Sequence, residues 1–153
     1  MVILNQPVEN FVLPSTGGVE FSLANQLGNA VVIYFYPKDD TPGCTAEGID
    51  FRDHWSAFAE KNCVIVGISR DTLSAHEKFK TKMQFPFELL SDTDEKVCEL
   101  FGVMKMKNMY GKQVRGIERS TFVIDAQGIL RKEWRGVKVP GHVQEVLDFV
   151  SEL

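Results

Sequence analysis

Apolar residues follow two different periods along this chain, and the switches between them mark out the elements. The run "AVVIYFY" (Ala30–Tyr36) is apolar without interruption, and "CVIVGIS" (Cys63–Ser69) repeats the pattern. Runs of this length and composition read as parallel strands covered on both faces. Between them Phe51, Trp55 and Phe58 recur at spacings of four and three, the mark of one apolar helical stripe. This predicts a helix from about Pro42 to Lys61. Ser74-x-x-Glu77 and Asp92-x-x-Glu95 have the form of capping boxes and predict helices over 74–83 and 93–101, with "FPFELL" a short strand between them.

"NFVLPSTGGVEFSL" predicts a hairpin around Ser15-Thr16-Gly17-Gly18, and "STFVID" with "ILRKEW" predicts another around Ala126-Gln127-Gly128. "PGHVQEVLDFVSEL" closes the chain as a helix with Pro140 near its start. No repeat, low-complexity tract or linker interrupts the series, so residues 1–153 read as one domain. Strands alternating with helices, then a hairpin and a final helix, fit an α/β fold of thioredoxin-like type: a central mixed sheet flanked by helices, with an N-terminal hairpin. A flavodoxin-like sheet is the alternative, and the late hairpin argues against it.

Composition narrows the function classes. A net charge of −4 gives no general electrostatic pull toward nucleic acid or anionic membrane. The longest apolar run is far short of a membrane span, and "MVILNQPVE" has neither a basic start nor a signal-length apolar region, so a soluble cytoplasmic protein is expected. Three cysteines, Cys44, Cys63 and Cys98, form no C-x-x-C pair, which fits reduced thiols rather than a disulfide framework. Locally, residues 105–119 carry a formal +4 from Lys105, Lys107, Lys112, Arg115 and Arg119 against Glu118. This segment reads as a solvated loop; the competing reading is a basic rim for anionic substrates or an acidic partner.

Cys44 changes the picture more. It follows Thr41-Pro42-Gly43 at the junction of a strand and a helix, where a cysteine that only fills a core does not belong. With Thr41 as N-cap, Pro42 falls at N1, where its missing N–H costs nothing, and Cys44 at N3. The first-turn amides of Gly43 and Cys44 then lack intrahelical acceptors and face the sulfur together with the positive end of the helix dipole. Thiols in such places ionise at roughly pH 3.5–7.5 rather than ~8.5, which makes a nucleophile without a general base.

"FYPKDDTPGCTAE", with its Pro37-x-x-x-Thr41-x-x-Cys44 spacing, together with "LLSD" and "ERSTFVID", resembles the peroxiredoxins of the bacterioferritin comigratory protein (peroxiredoxin Q) subfamily over nearly the whole chain. The resemblance implies a thiol peroxidase with no cofactor and no metal, acting on hydrogen peroxide and organic hydroperoxides. It implies Cys44 as peroxidatic nucleophile, Thr41 as the hydroxyl that orients peroxide, Arg119 as the cation beside the sulfur and Pro37 as a shield over it. Gly43 and Glu47 support the site, Glu47 by accepting from Arg119. A monomer is favoured over a dimer.

The chain departs from many members of that subfamily in having Ile49, not a cysteine, five residues after the nucleophile, and no cysteine in "HEKFKTKM". Cys63 and Cys98 read as buried packing residues. The expected mechanism is therefore of one-cysteine type, with an external thiol reductant such as glutathione, a glutaredoxin or thioredoxin. The alternatives are a two-cysteine mechanism through Cys98 or Cys63, and a non-enzymatic redox sensor. Met104, Met106, Met109 and Tyr110 could line an apolar approach for organic hydroperoxides or pack within a loop. A cysteine hydrolase would need His54, His76 or His142 as base; His142, the best placed of them at a helix start, has no partner with a readable motif and reads instead as a helix-start or surface residue. Asp50 and His54, at i and i+4, lack a third ligand for a metal.

Overall fold

A computed structural model describes all residues, 1–153. The N-terminal hairpin forms as β1 (Val12–Ser15) and β2 (Val19–Ser22), paired antiparallel and followed by a 3-10 turn at Leu23–Gln26. The continuous apolar runs become β3 (Ala30–Phe35) and β4 (Cys63–Ser69), parallel neighbours joined through α1 (Pro42–Glu60). α2 (Leu73–Met83) then leads to β5 (Glu88–Ser91), parallel to β4. The chain continues through α3 (Lys96–Leu100), a separate hairpin of β6 (Met104–Met109) and β7 (Lys112–Ile117), the pair β8 (Ser120–Ile124) and β9 (Leu130–Arg135), and α4 (His142–Ser151). The main sheet has the order β2-β1-β5-β4-β3-β8-β9, with β8 antiparallel to β3. That antiparallel partner gives the mixed thioredoxin-type sheet and excludes the flavodoxin-like alternative.

Because side chains alternate across a strand, β3 feeds two cores. Val31, Ile33 and Phe35 enter one cluster with Phe101, Phe122 and Cys98, while Val32, Tyr34 and Tyr36 enter the other with Phe51, Phe58, Val146 and Val150. The second cluster holds α1 and α4 against the sheet. Tyr34 stacks on Phe51 at 4.5 Å between ring centres, which fixes the rotation of α1 about its axis. The same face places Gly48 directly over the Phe85 ring, where an added Cβ would lie 2.4 Å from Cζ.

Several expectations need correction. Trp55 does not complete the buried stripe of α1: it is 37% exposed, while Phe51 and Phe58 are fully buried. The cap of α2 is Thr72, whose hydroxyl accepts from the Ala75 amide, so Ser74-x-x-Glu77 lies inside the helix. α3 begins at Lys96, after a left-handed Glu95, and Asp92 caps it from a distance by accepting from the Val97 and Cys98 amides at 3.2 and 2.7 Å. "FPFELL" is strand only from Glu88; Phe85 and Phe87 precede it and stack together in the core. The basic segment is solvated but is no loop. It forms the β6–β7 hairpin, tied to α3 by ion pairs from Arg115 to Glu95 and Glu99.

Gly48→Ala should destabilise the protein by about 1–3 kcal/mol, because either α1 or the Phe85 ring must shift to admit one methyl group. Urea unfolding checks this, and a truncated Phe85→Leu partner should recover part of the loss.

Candidate active site

The β3–α1 junction lies at the C-terminal end of a central strand, where α/β sheets open their binding crevices. The chain leaves β3 through Tyr36 and the half-buried Pro37, turns through a left-handed Asp40 (φ 60°), and enters α1 at Thr41, whose extended backbone makes it the N-cap. The Thr41 hydroxyl does not cap the helix. It donates to the Lys38 carbonyl at 2.8 Å, so its lone pairs stay available to an incoming donor. The first intrahelical bond runs from the Thr45 amide to the Thr41 carbonyl, leaving the Gly43 and Cys44 amides without protein acceptors.

Cys44 is buried beneath this turn, 2% exposed. Arg119, in the short link between β7 and β8, reaches it from the other side: Nη2 donates to the Cys44 sulfur at 3.5 Å, and Nη1 donates to Glu47 Oε1 at 2.7 Å. Glu47 is fully buried one turn further along α1, and its Oε2 has no partner. Burial pushes the Glu47 carboxyl up to about 7, against the opposing pull of the adjacent guanidinium. At Arg119 burial works against the charge, yet Glu47 and Cys44 hold its pKa above the ordinary arginine value. The two residues attract one another, and the balance differs because Glu47 is buried more deeply. Gly43 has a steric reason to be glycine: a Cβ there would sit 3.0 Å from Arg119 Nη2.

The other two cysteines are elsewhere. Cys98 lies in the opposite core cluster, across the sheet from Cys44, and burial raises its thiol well above the ordinary range. Cys63 follows the far end of α1, which lies roughly 24 Å along the helix from Cys44 at 1.5 Å per residue. Burial pushes that thiol up to about 12. A disulfide needs Cα atoms within about 7 Å, so neither can meet Cys44 without large rearrangement.

Together the geometry is that of a buried thiol at a helix N-terminus, with free amides and a cation held by a buried carboxylate. The AhpC/TSA family matches residues 4–133. The chain belongs to that family. Its relatives are peroxiredoxins: Peroxiredoxin Bcp of Xanthomonas campestris is 48% identical over 147 residues, 95% of this chain and 92% of the relative, and Peroxiredoxin Bcp of Bacillus subtilis is 47% identical over 150 residues, 98% and 96% of the two chains. Among solved structures, Xanthomonas campestris bacterioferritin comigratory protein, described for its alkyl peroxide reduction activity, superposes with a TM-score of 0.91 at 44% identity, covering 99% of this chain and 98% of that one. A Xylella fastidiosa PrxQ variant gives 0.94 at 38% identity, covering 99% and 97%. This peroxiredoxin is thus a thiol peroxidase of the peroxiredoxin Q group with a thioredoxin-type fold, as its motif implied. No helix in it is long and apolar enough to cross a membrane.

The histidines differ from expectation. His142 does start α4 but is buried, bonded through Nε2 to the Thr121 hydroxyl at 2.8 Å, with burial lowering its pKa. His76 is fully buried against Asp39. His54 Nδ1 bonds the backbone carbonyl of Asp50, one turn earlier on α1. The grouping that sequence reasoning missed is Asp39, Asp71 and His76, whose ligand-type atoms lie within 4.8 Å of one another. No spacing signals it, since Asp39 and His76 are 37 residues apart.

Glu47 gives the site a pH signature. Its folded pKa of about 7 lies above the unfolded carboxyl value, so between the two the native state binds the extra proton. The stability it contributes is full below about pH 4 and is lost as pH rises through 7. The urea midpoint of the wild type should therefore fall relative to Glu47→Gln between pH 5 and pH 8; parallel curves would contradict the assignment.

Proposed function

We propose that this peroxiredoxin reduces hydrogen peroxide and alkyl hydroperoxides through a Cys44 sulfenic acid, with an external thiol as reductant. The observation that carries the reading is the Arg119 guanidinium 3.5 Å from the Cys44 sulfur at the open end of α1. The Cys44 thiolate attacks the nearer peroxide oxygen, the O–O bond breaks, and the departing hydroxide or alkoxide takes a proton to leave as water or an alcohol. Negative charge develops on that leaving oxygen, where the Cys44 amide and Arg119 supply fixed donors in a partly dry site. Thr41, its own proton committed to Lys38, accepts from the peroxide O–H and sets its direction. Pro37 shields the turn, Gly43 leaves room for the guanidinium, and Glu47 orients it.

The sulfenic acid is the first, reversible rung of cysteine oxidation. One external thiol condenses with it to a mixed disulfide and water, and a second thiol releases Cys44 with formation of a disulfide between the two reductants. Glutathione, a glutaredoxin or thioredoxin has the required chemistry. The one-cysteine route is supported by the burial of Cys98 across the sheet and of Cys63 beyond the far end of α1. Ile49 lies on α1 five residues after Cys44, where many members of the subfamily carry a cysteine.

Cys44→Ser should abolish peroxide consumption, while Cys63→Ser and Cys98→Ser retain most of it. Peroxide treatment at dilute protein without thiol should give a dimedone-trappable sulfenic acid at Cys44; a stoichiometric link to Cys98 or Cys63 in non-reducing peptide maps would replace this mechanism with a two-cysteine one.

Arg119→Ala removes a charge-assisted hydrogen bond of about 1.5–3 kcal/mol, which corresponds to a roughly ten- to hundredfold slower peroxide step if it is fully felt in the transition state. Stopped-flow oxidation of Cys44 reads this directly.

A further inference from the structure

The turn that presents Thr41 is held in part from outside its own sequence. Asp39 lies in it with its carboxylate nearly sealed from solvent: Oδ1 accepts from the Tyr36 hydroxyl at 2.6 Å, and Oδ2 meets His76 Nδ1 of α2 at 2.7 Å. The other ring nitrogen of His76 meets the Leu90 carbonyl of β5 at 2.9 Å. A carbonyl can only accept, so Nε2 carries a proton, and a second proton sits between Nδ1 and the carboxylate. His76 and Asp39 are thus joined through one proton held between Nδ1 and Oδ2. The Asp39 amide is held as well, by Asp71 Oδ2 at 3.0 Å, and Asp71 accepts from Ser69 Oγ.

Both carboxylate oxygens of Asp39 and both ring nitrogens of His76 are thus matched within the protein. What the cluster does is clamp. It ties a five-residue turn, Pro37 to Thr41, to β3, the β4–α2 connection, α2 and β5 at once. The turn passes through Asp40 at φ 60°, a region that aspartate enters more readily than most non-glycine residues. A second link to the same helix, Lys82 to the Asp40 carboxylate at 2.9 Å, is exposed and contributes less.

We propose that His76 is a positioning residue for the peroxide step: through Asp39 it fixes the Pro37–Thr41 turn, and with it the Thr41 hydroxyl relative to the Cys44 sulfur. The inference rests on the roles given above to Cys44 and Thr41. A displacement of the order of 1 Å in such a group can slow reaction by roughly a hundredfold, so a residue that never touches peroxide can control its rate.

The test is a double-mutant cycle. Thr41→Val, His76→Asn and their combination are compared by stopped-flow oxidation of Cys44 with hydrogen peroxide, and by alkylation of Cys44 with iodoacetamide, which needs no help from Thr41. His76→Asn should slow peroxide oxidation roughly tenfold or more in the presence of Thr41, but less than about twofold in the Thr41→Val background. Its alkylation rate should stay within about twofold of wild type. Asp39→Leu, which is near in size and cannot bond His76, should behave in the same way and decides the question alone if His76→Asn does not fold. An unchanged peroxide rate, an equal loss in both backgrounds, or parallel losses of oxidation and alkylation would overturn the proposal. If Thr41→Val itself leaves the peroxide rate unchanged, the fault lies in the role given to Thr41, and the clamp then has nothing at the active site to position.

Discussion

One guanidinium, divided between a sulfur and a carboxylate, is the interaction on which the site depends. Arg119 reaches Cys44 with one nitrogen and Glu47 with another, and its planar fork makes both contacts from a single position. Removing such a group from water is costly, and Glu47 offsets that cost while holding the fork in place. The balance within the pair matters for the chemistry. Burial resists ionisation of Glu47, while Glu47 and Cys44 together hold the Arg119 pKa above its ordinary value. Gly43 belongs to the same arrangement, since a side chain there would crowd the nitrogen that faces the sulfur.

The sheet separates the three cysteines. Alternation along β3 divides the interior into two cores, and Cys44 and Cys98 fall on opposite sides of that division. Cys63 shares a core with Cys44 but lies beyond the opposite end of α1. All three thiols are buried, but only Cys44 has a guanidinium beside it. Burial raises the Cys63 and Cys98 thiols and disfavours their thiolates.

The sequence alone determined the elements that rest on local patterns. Two apolar strands, the helix between them and the β8–β9 hairpin follow from periodicity and turn chemistry, and Thr41-Pro42-Gly43-Cys44 follows from what helix starts require. Local rules failed where a longer-range contact offered a better bond. Thr72 rather than Ser74 caps α2, and the Asp92 carboxylate reaches forward to the Val97 and Cys98 amides instead of opening a helix at once. The β6–β7 hairpin has little apolar alternation to announce it, because it forms a two-stranded ribbon apart from the main sheet, with most of its residues exposed.

Tertiary structure alone decided the partners of the charged and polar groups. That Arg119 meets Cys44 and Glu47 depends on β8 lying antiparallel beside β3, which delivers the residue before it to the start of α1. That His76 is buried against Asp39, and not exposed on its helix, depends on α2 packing beside the active-site turn and β5. Periodicity reports which face of an element is apolar, and turn residues report where the chain can bend. Neither carries information about groups separated by 37 or 75 residues, whose distance is fixed only when the sheet assembles.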